Sequence, residues 1–192
     1  MLLPLHQALD ARDGGHSLRV TALAEAFARA LHWDDLRVRR VRLGARLHDV
    51  GKLALPDTLL TKPGPLTDDE RDRLREHPLI GAGMLESIPQ AASALACVLY
   101  HHERWDGHGY PAGRSGTEIP AEARLIAIVD AFDAMTSERS YRDCLLTGHA
   151  LEEIGRCAGS QFDPDLARGF VAAHDAGALV VEPAQPGFAL EA

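Results

Sequence analysis

The chain has 192 residues, 46% of them hydrophobic and 25% charged, which are the proportions of a folded domain rather than a disordered one. Its formal net charge of -8 argues against non-specific binding to nucleic acid or to an acidic membrane, so an anionic ligand would need local cations, from metals or a few placed Arg and Lys residues. No run approaches the length of an apolar membrane span, and the first residues lack the basic region of a signal peptide. The three cysteines, Cys97, Cys144 and Cys157, are scattered and form no Cys-x-x-Cys pattern, so they read as reduced thiols of a cytoplasmic protein.

Nearly every periodic stretch has the helical period. Residues 2–11 predict a short helix ended by Asp13-Gly14-Gly15. Residues 16–31 predict a second, whose stripe of His16, Val20, Leu23, Phe27 and Ala30 places His16 on the core face. A third spans 36–48 and is closed by Gly51; Val38, Val41, Ala45 and His48 fall on one apolar face. Pro56 opens a short turn, and Lys62-Pro63-Gly64-Pro65 is a loop. Thr67 and Glu70 form a capping box that opens a helix to about Glu76, and Pro78 breaks the chain so that His77 lies at a junction of two helices. Residues 90–102 predict a helix ending in His101-His102-Glu103. From Arg104 to Pro120 the Gly and Pro content predicts a structured loop. Residues 121–136 predict an apolar helix interrupted by Asp130 and Asp133. Thr147 is expected to cap a helix to about Ala158, and 163–176 is the last.

His16, His48, Asp49, His77, His101, His102 and Asp130 thus lie on five or six different helices or helix ends. Asp130, inside Leu125-Ile-Ala-Ile-Val-Asp130-Ala-Phe, is expected to be buried, and a buried carboxylate needs a cation or several donors. Taken singly, His16 reads as a helix N-terminal residue, His77 as a residue before proline, and His101-His102 as an exposed helix end. Together they are better explained by an all-α single-domain bundle aiming its His and Asp residues at one metal cluster in its core. A donor set of His and Asp without Cys suits iron, manganese or zinc. Seven donors suit two ions with one bridging carboxylate.

The sequence resembles the HD-GYP branch of the HD-domain metal-dependent phosphohydrolases. The residues that carry the resemblance are His16-Ser17-x-Arg19-Val20, His48-Asp49-x-Gly51-Lys52, Pro63-Gly64-x-Leu66-Thr67-x-x-Glu70 and Glu76-His77-Pro78 with Gly81. The most specific run is His101-His102-Glu103-Arg104-Trp105-Asp106-Gly107-x-Gly109-Tyr110-Pro111. Ile119-Pro120, Arg124, Asp130-Ala-Phe-Asp133-Ala-Met-Thr, Arg139-x-Tyr141-Arg142 and Gly159-x-Gln161-Phe162-Asp163-Pro164 complete it. The match divides the chain into an N-terminal helix and turn at 1–15, a catalytic domain at 16–176 and a tail at 177–192.

The resemblance implies an HD-type helical bundle that hydrolyses cyclic di-GMP to linear pGpG in bacterial second-messenger signalling, with GMP formation slow or absent. It implies as metal ligands His16, His48, Asp49, His77, His101, His102 and Asp130, with Asp49 bridging two divalent ions, iron or manganese favoured. Asp49 and Lys52 would be the catalytic residues, and Lys52, Tyr110, Arg139 and Arg142 would contact the substrate. GGDEF-domain proteins are candidate partners. A catalytically weak cyclic dinucleotide-binding or GGDEF-docking module is the alternative, and another cyclic dinucleotide as substrate is a third reading. The glycines of the Gly109-Tyr110-Pro111 loop are expected to make room for a nucleotide. Some relatives bind a third ion through a Glu one turn before the first His. Here Arg12 stands at that place and Asp13 precedes a Gly-Gly turn, so two ions are expected. His108 and Ser140 also depart from the family pattern, which usually has a small residue and a Pro there. With no sensor or receiver domain before the catalytic region in these 192 residues, the chain is expected to be either a stand-alone enzyme or one domain of something larger.

Overall fold

The computed structural model describes residues 2–137 and 146–179, the side chain of Leu3 excepted. Its first helix, α1 (Leu2–Asp13), runs two residues beyond the predicted end. It stops at Gly14 and Gly15, whose φ angles of 61° and 81° lie in the left-handed region that glycine enters without strain. The Asp13 carboxylate accepts hydrogen bonds from the backbone N–H of Gly15 (2.9 Å) and Ser17 (3.0 Å), so it fixes the start of α2 (His16–Ala30). Asp34 caps α3 (Asp35–Leu47) by accepting from the N–H of Arg37. A 3₁₀ turn at Val50–Ala54 and the short α4 (Asp57–Leu60) follow.

The predicted capping box is present: Thr67 and Glu70 satisfy each other's backbone N–H at the start of α5 (Asp68–Leu74). Helix α6 (His77–Glu86) carries Pro78 in its first turn, where no N–H is needed. The predicted helix at 90–102 is in fact a 3₁₀ turn at Pro89–Ala94 followed by α7 (Leu95–Tyr100), so both histidines lie just past a helix end. Helix α8 spans Ala121–Thr136 as predicted. In α9 (Thr147–Arg156) the capping position is Leu146, and Thr147 is already helical and caps nothing. The last helix, α10 (Pro164–Asp175), is capped by Asp163, whose carboxylate accepts from the N–H of Asp165 and Leu166. Apart from one isolated bridge between Ala158 and Phe162, no strand pairing occurs among the described residues.

The apolar faces close two cores. The larger one gathers Val20, Phe27, Val41, Ile126 and Phe170. Phe27 and Phe170 meet edge to face with centroids 5.1 Å apart. The smaller one gathers Leu9, Leu47, Val50, Leu85 and Val98. Ala45 belongs to the first core and Leu47 and Val50 to the second. His48 and Asp49 are therefore held in a short stretch anchored in both. Cys97 and Cys157 are unpaired and buried; Cys144 lies outside the described residues.

Candidate metal centre

Four of the seven predicted donors are imidazoles anchored through Nδ1. His48 Nδ1 lies 2.7 Å from the carbonyl oxygen of Ala45, His77 Nδ1 2.8 Å from that of Leu74, and His101 Nδ1 2.9 Å from that of Val98. A carbonyl oxygen can only accept, so each Nδ1 carries the proton and each Nε2 presents a lone pair. The carbonyls are available because they belong to the last turns of α3, α5 and α7, which have no intrahelical partner. The fourth, His16, uses a carboxylate instead: its Nδ1 is 2.7 Å from Asp133 Oδ2. Arg19 in turn holds Asp133 through Nε (2.7 Å) and Nη2 (3.0 Å). Anchored Nδ1 atoms of this kind orient metal-binding imidazoles.

The freed Nε2 atoms converge on Asp49, and its two oxygens face different histidines. Oδ1 lies 3.2 Å from His77 Nε2 and 3.8 Å from His101 Nε2. Oδ2 lies 3.5 Å from His48 Nε2 and 3.9 Å from His16 Nε2. His102 joins the group formed by Asp49, His77 and His101, whereas His16 and His48 form a second group around the same carboxylate, with all donor atoms of each group within 4.8 Å of one another. Asp130 Oδ1 is 3.2 Å from His16 Nε2 and 3.9 Å from His48 Nε2, on the side of the second group. The structure thus brings all seven predicted donors together.

These residues fit divalent metal. His48 Nε2 and Asp49 Oδ1 are buried and lack any hydrogen-bond partner among the described residues, and His77 Nε2 and His101 Nε2 face each other at 3.3 Å. Burial pushes His48 down to about 4 and His102 down to about 2, so both imidazoles are neutral at ordinary pH. Burial opposes charge on His16 too, but hydrogen bonds with Asp130 and Asp133 outweigh it and raise His16 to about 9. Burial likewise opposes charge on Asp49, and Lys52 and the surrounding histidines nonetheless hold it well below the usual carboxylate range. The cluster draws positive charge to itself, which is the condition a cation would meet.

Lys52 Nζ donates to Asp49 Oδ2 at 2.6 Å. An open pocket of about 330 Å³ adjoins the cluster, lined in part by His101, His102, Tyr110 and Asp130. Asp130 is not fully buried as expected: 21% of its side chain is exposed, because it faces this pocket rather than the core. Tyr110 stacks on His102 with centroids 4.8 Å apart. Burial raises the Tyr110 phenol, and Asp49 adds to this, so the group remains a hydrogen-bond donor. Arg139 and Arg142 lie outside the described residues.

The expected reason for Gly109 is corrected. A Cβ there would fall 2.4 Å from Arg104 N, 2.5 Å from Glu103 Cα and 2.6 Å from His102 O. The glycine admits the protein's own backbone, not a nucleotide. Glu103, whose role the sequence did not reveal, is buried and accepts from the N–H of Ala112 (2.7 Å) and Arg114 (3.1 Å), which curls the loop back on itself. Arg12 does not face the cluster. Its guanidinium donates to the carbonyls of Lys52 (2.9 Å) and Leu55 (2.7 Å) and pairs with Asp57. Asp13 is occupied by Gly15 and Ser17. Neither is turned toward His16 as a further ligand.

Comparison with known proteins gives the family. The HD domain model matches residues 5–166. The cyclic di-GMP phosphodiesterase PA4108 of Pseudomonas aeruginosa is 42% identical over 181 residues, covering 92% of this chain and 44% of that protein. The cyclic di-GMP phosphodiesterase response regulator RpfG of Xanthomonas campestris pv. campestris is 41% identical over 167 residues, covering 83% of this chain and 44% of that protein. The crystal structure of the cyclic GMP-AMP specific phosphodiesterase V-cGAP3 of V. cholerae shares the fold, with a TM-score of 0.71 at 19% identity over 91% of this chain and 48% of that one. The chain spans less than half the length of these curated relatives.

Proposed function

Because the chain belongs to the HD domain family, in its HD-GYP branch, we propose that it is a metal-dependent phosphodiesterase that opens cyclic di-GMP to pGpG. The observation that carries this reading is the split of Asp49: its two oxygens face two sets of inward-pointing Nε2 atoms, beside an open pocket. Asp49, His77, His101 and His102 would hold one divalent ion, and His16, His48, Asp49 and Asp130 another. When bound, such ions supply Lewis-acid charge for a phosphodiester and lower the pKa of water. The donor set suits iron, manganese or zinc, and the family resemblance favours iron or manganese.

The chain's own residues prepare the substrate. Lys52 lies beside Asp49 and offsets negative charge on the phosphate. Tyr110 offers a protonated phenol and a ring face at the pocket wall. Arg139 and Arg142 remain proposed contacts. Carbonyl anchoring of three histidines holds their lone pairs in place before any ligand arrives. A role confined to docking a GGDEF-domain partner would not require this preserved donor set.

Incubation of the manganese- or iron-loaded protein with cyclic di-GMP, followed by separation of the nucleotides, tests the proposal. We expect pGpG as the first product, with GMP formed slowly or not at all. Unchanged cyclic di-GMP after prolonged incubation of metal-replete protein would contradict it.

A further inference from the structure

We propose that Arg75 is a substrate-recognition residue that binds the phosphodiester of the cyclic dinucleotide that is not being cleaved. This rests on the hydrolysis of a cyclic dinucleotide proposed above. Arg75 occupies the position just after α5, two residues before His77, and its backbone N–H closes that helix on Arg71. Its guanidinium lies over the ring of Tyr110, 5.5 Å from the centroid, and Tyr110 itself stacks on His102. The three side chains form a continuous stack from a candidate ligand to the pocket wall, and Arg75 lines the same pocket as His101, His102 and Asp130.

Charge explains why this position matters. A cyclic dinucleotide carries two phosphodiesters, and the small ring that joins them brings the second into the pocket whenever the first reaches the cluster. The pocket borders Asp130, and the chain as a whole is acidic, so the second phosphate needs a cation of its own. Arg139 and Arg142 lie outside the described residues, and the choice is made here among the described ones. Lys52 is engaged with Asp49 at 2.6 Å. Arg104, the other cation lining the pocket among the described residues, is forked onto Asp106 at 2.6 and 3.0 Å. Arg75 is less committed: its side chain is 51% exposed, and its ion-pair neighbour Asp72 is 3.6 Å away, beyond hydrogen-bond range. A guanidinium presents several donors in one plane, the geometry that a phosphate accepts best.

The bland alternative is a helix C-terminal cation that merely packs on Tyr110. It predicts a small loss of stability and no change in substrate discrimination. The test compares cyclic di-GMP with bis(p-nitrophenyl) phosphate, which has one phosphodiester and no second phosphate. Arg75→Ala is expected to raise KM for cyclic di-GMP about tenfold or more, the usual scale for a hydrogen bond to a charged group. It should leave kcat within about twofold, as for an interaction made equally in ground and transition states. Metal content and kcat/KM for bis(p-nitrophenyl) phosphate should match the parent. Arg75→Lys should recover part of the loss, and Arg75→Gln should not. An unchanged KM, or an equal loss on both substrates, would overturn the assignment while leaving the proposed activity standing. A metal-loaded parent that cleaves bis(p-nitrophenyl) phosphate but not cyclic di-GMP would instead overturn the activity, and this assignment with it.

Discussion

Asp49→Asn is expected to abolish metal binding at both halves of the cluster while leaving the fold intact. Each carboxylate oxygen faces two histidine Nε2 atoms, all at 3.2 to 3.9 Å. An amide keeps the shape but replaces one oxygen by a donor that cannot bind metal, and it removes the negative charge that two ions would share. Groups that only orient metal ligands typically contribute about 10–100-fold to metal affinity or activity. A ligand common to both ions should exceed the upper end of that range, so turnover of cyclic di-GMP should fall by more than about a hundredfold. Stability should change by no more than about 1 kcal/mol from the lost Lys52 pair, because Lys52 is one-third exposed and its ion pair is screened by water. Circular dichroism checks the fold and elemental analysis checks the metal. Parent-like metal content with full activity would remove Asp49 from the centre.

Gly51→Ala is expected to be the most damaging small substitution near the site. A Cβ at this position would lie 1.9 Å from the His77 carbonyl oxygen and 2.6 Å from Gly81 N, both backbone atoms that cannot swing aside. The 3₁₀ turn after Asp49 and the first turn of α6 would have to separate, which moves Asp49 away from His77. Overpacking of this kind costs about 3 kcal/mol at its upper ordinary range. For a domain of this size that lowers Tm by about 6–12 °C. Gly83→Ala is the control: it is an exposed residue of α6 with nothing within 4 Å of the added methyl. Replacing a helix-interior glycine there should leave Tm unchanged or raise it. Equal Tm values for the two variants would show that the close approach at Gly51 does not constrain the site.

Much of the fold was legible because apolar period, Gly and Pro carry it directly. The Thr67–Glu70 capping box, the Asp13-Gly14-Gly15 stop and the full span of α8 follow from residue type alone. So does the inward direction of His48, since Val38, Val41 and Ala45 are buried on its face. What escaped the sequence is what depends on atoms without a residue signature. The acceptors for His48, His77 and His101 are backbone carbonyls at helix ends, and a carbonyl looks the same under any side chain. One signal was available: each of these histidines sits within three residues of a helix end, where carbonyls lack partners. Asp133 was visible as a break in an apolar helix, but its pairing with His16 was not, because it spans 117 positions. The exposure of Asp130 was missed because an apolar stretch does not tell a core from a pocket wall. Gly51 and Gly109 were read as a helix stop and as space for ligand, whereas both admit neighbouring backbone.

The most direct test of the proposed dinuclear centre is a crystal of the metal-loaded protein measured by anomalous scattering at the edge of the bound metal. The account predicts two peaks, one on each side of Asp49. The first should be contacted by His77, His101 and His102, the second by His16, His48 and Asp130. A single peak not touching Asp49, or a well-occupied third peak beside Arg12 or Asp13, would contradict it.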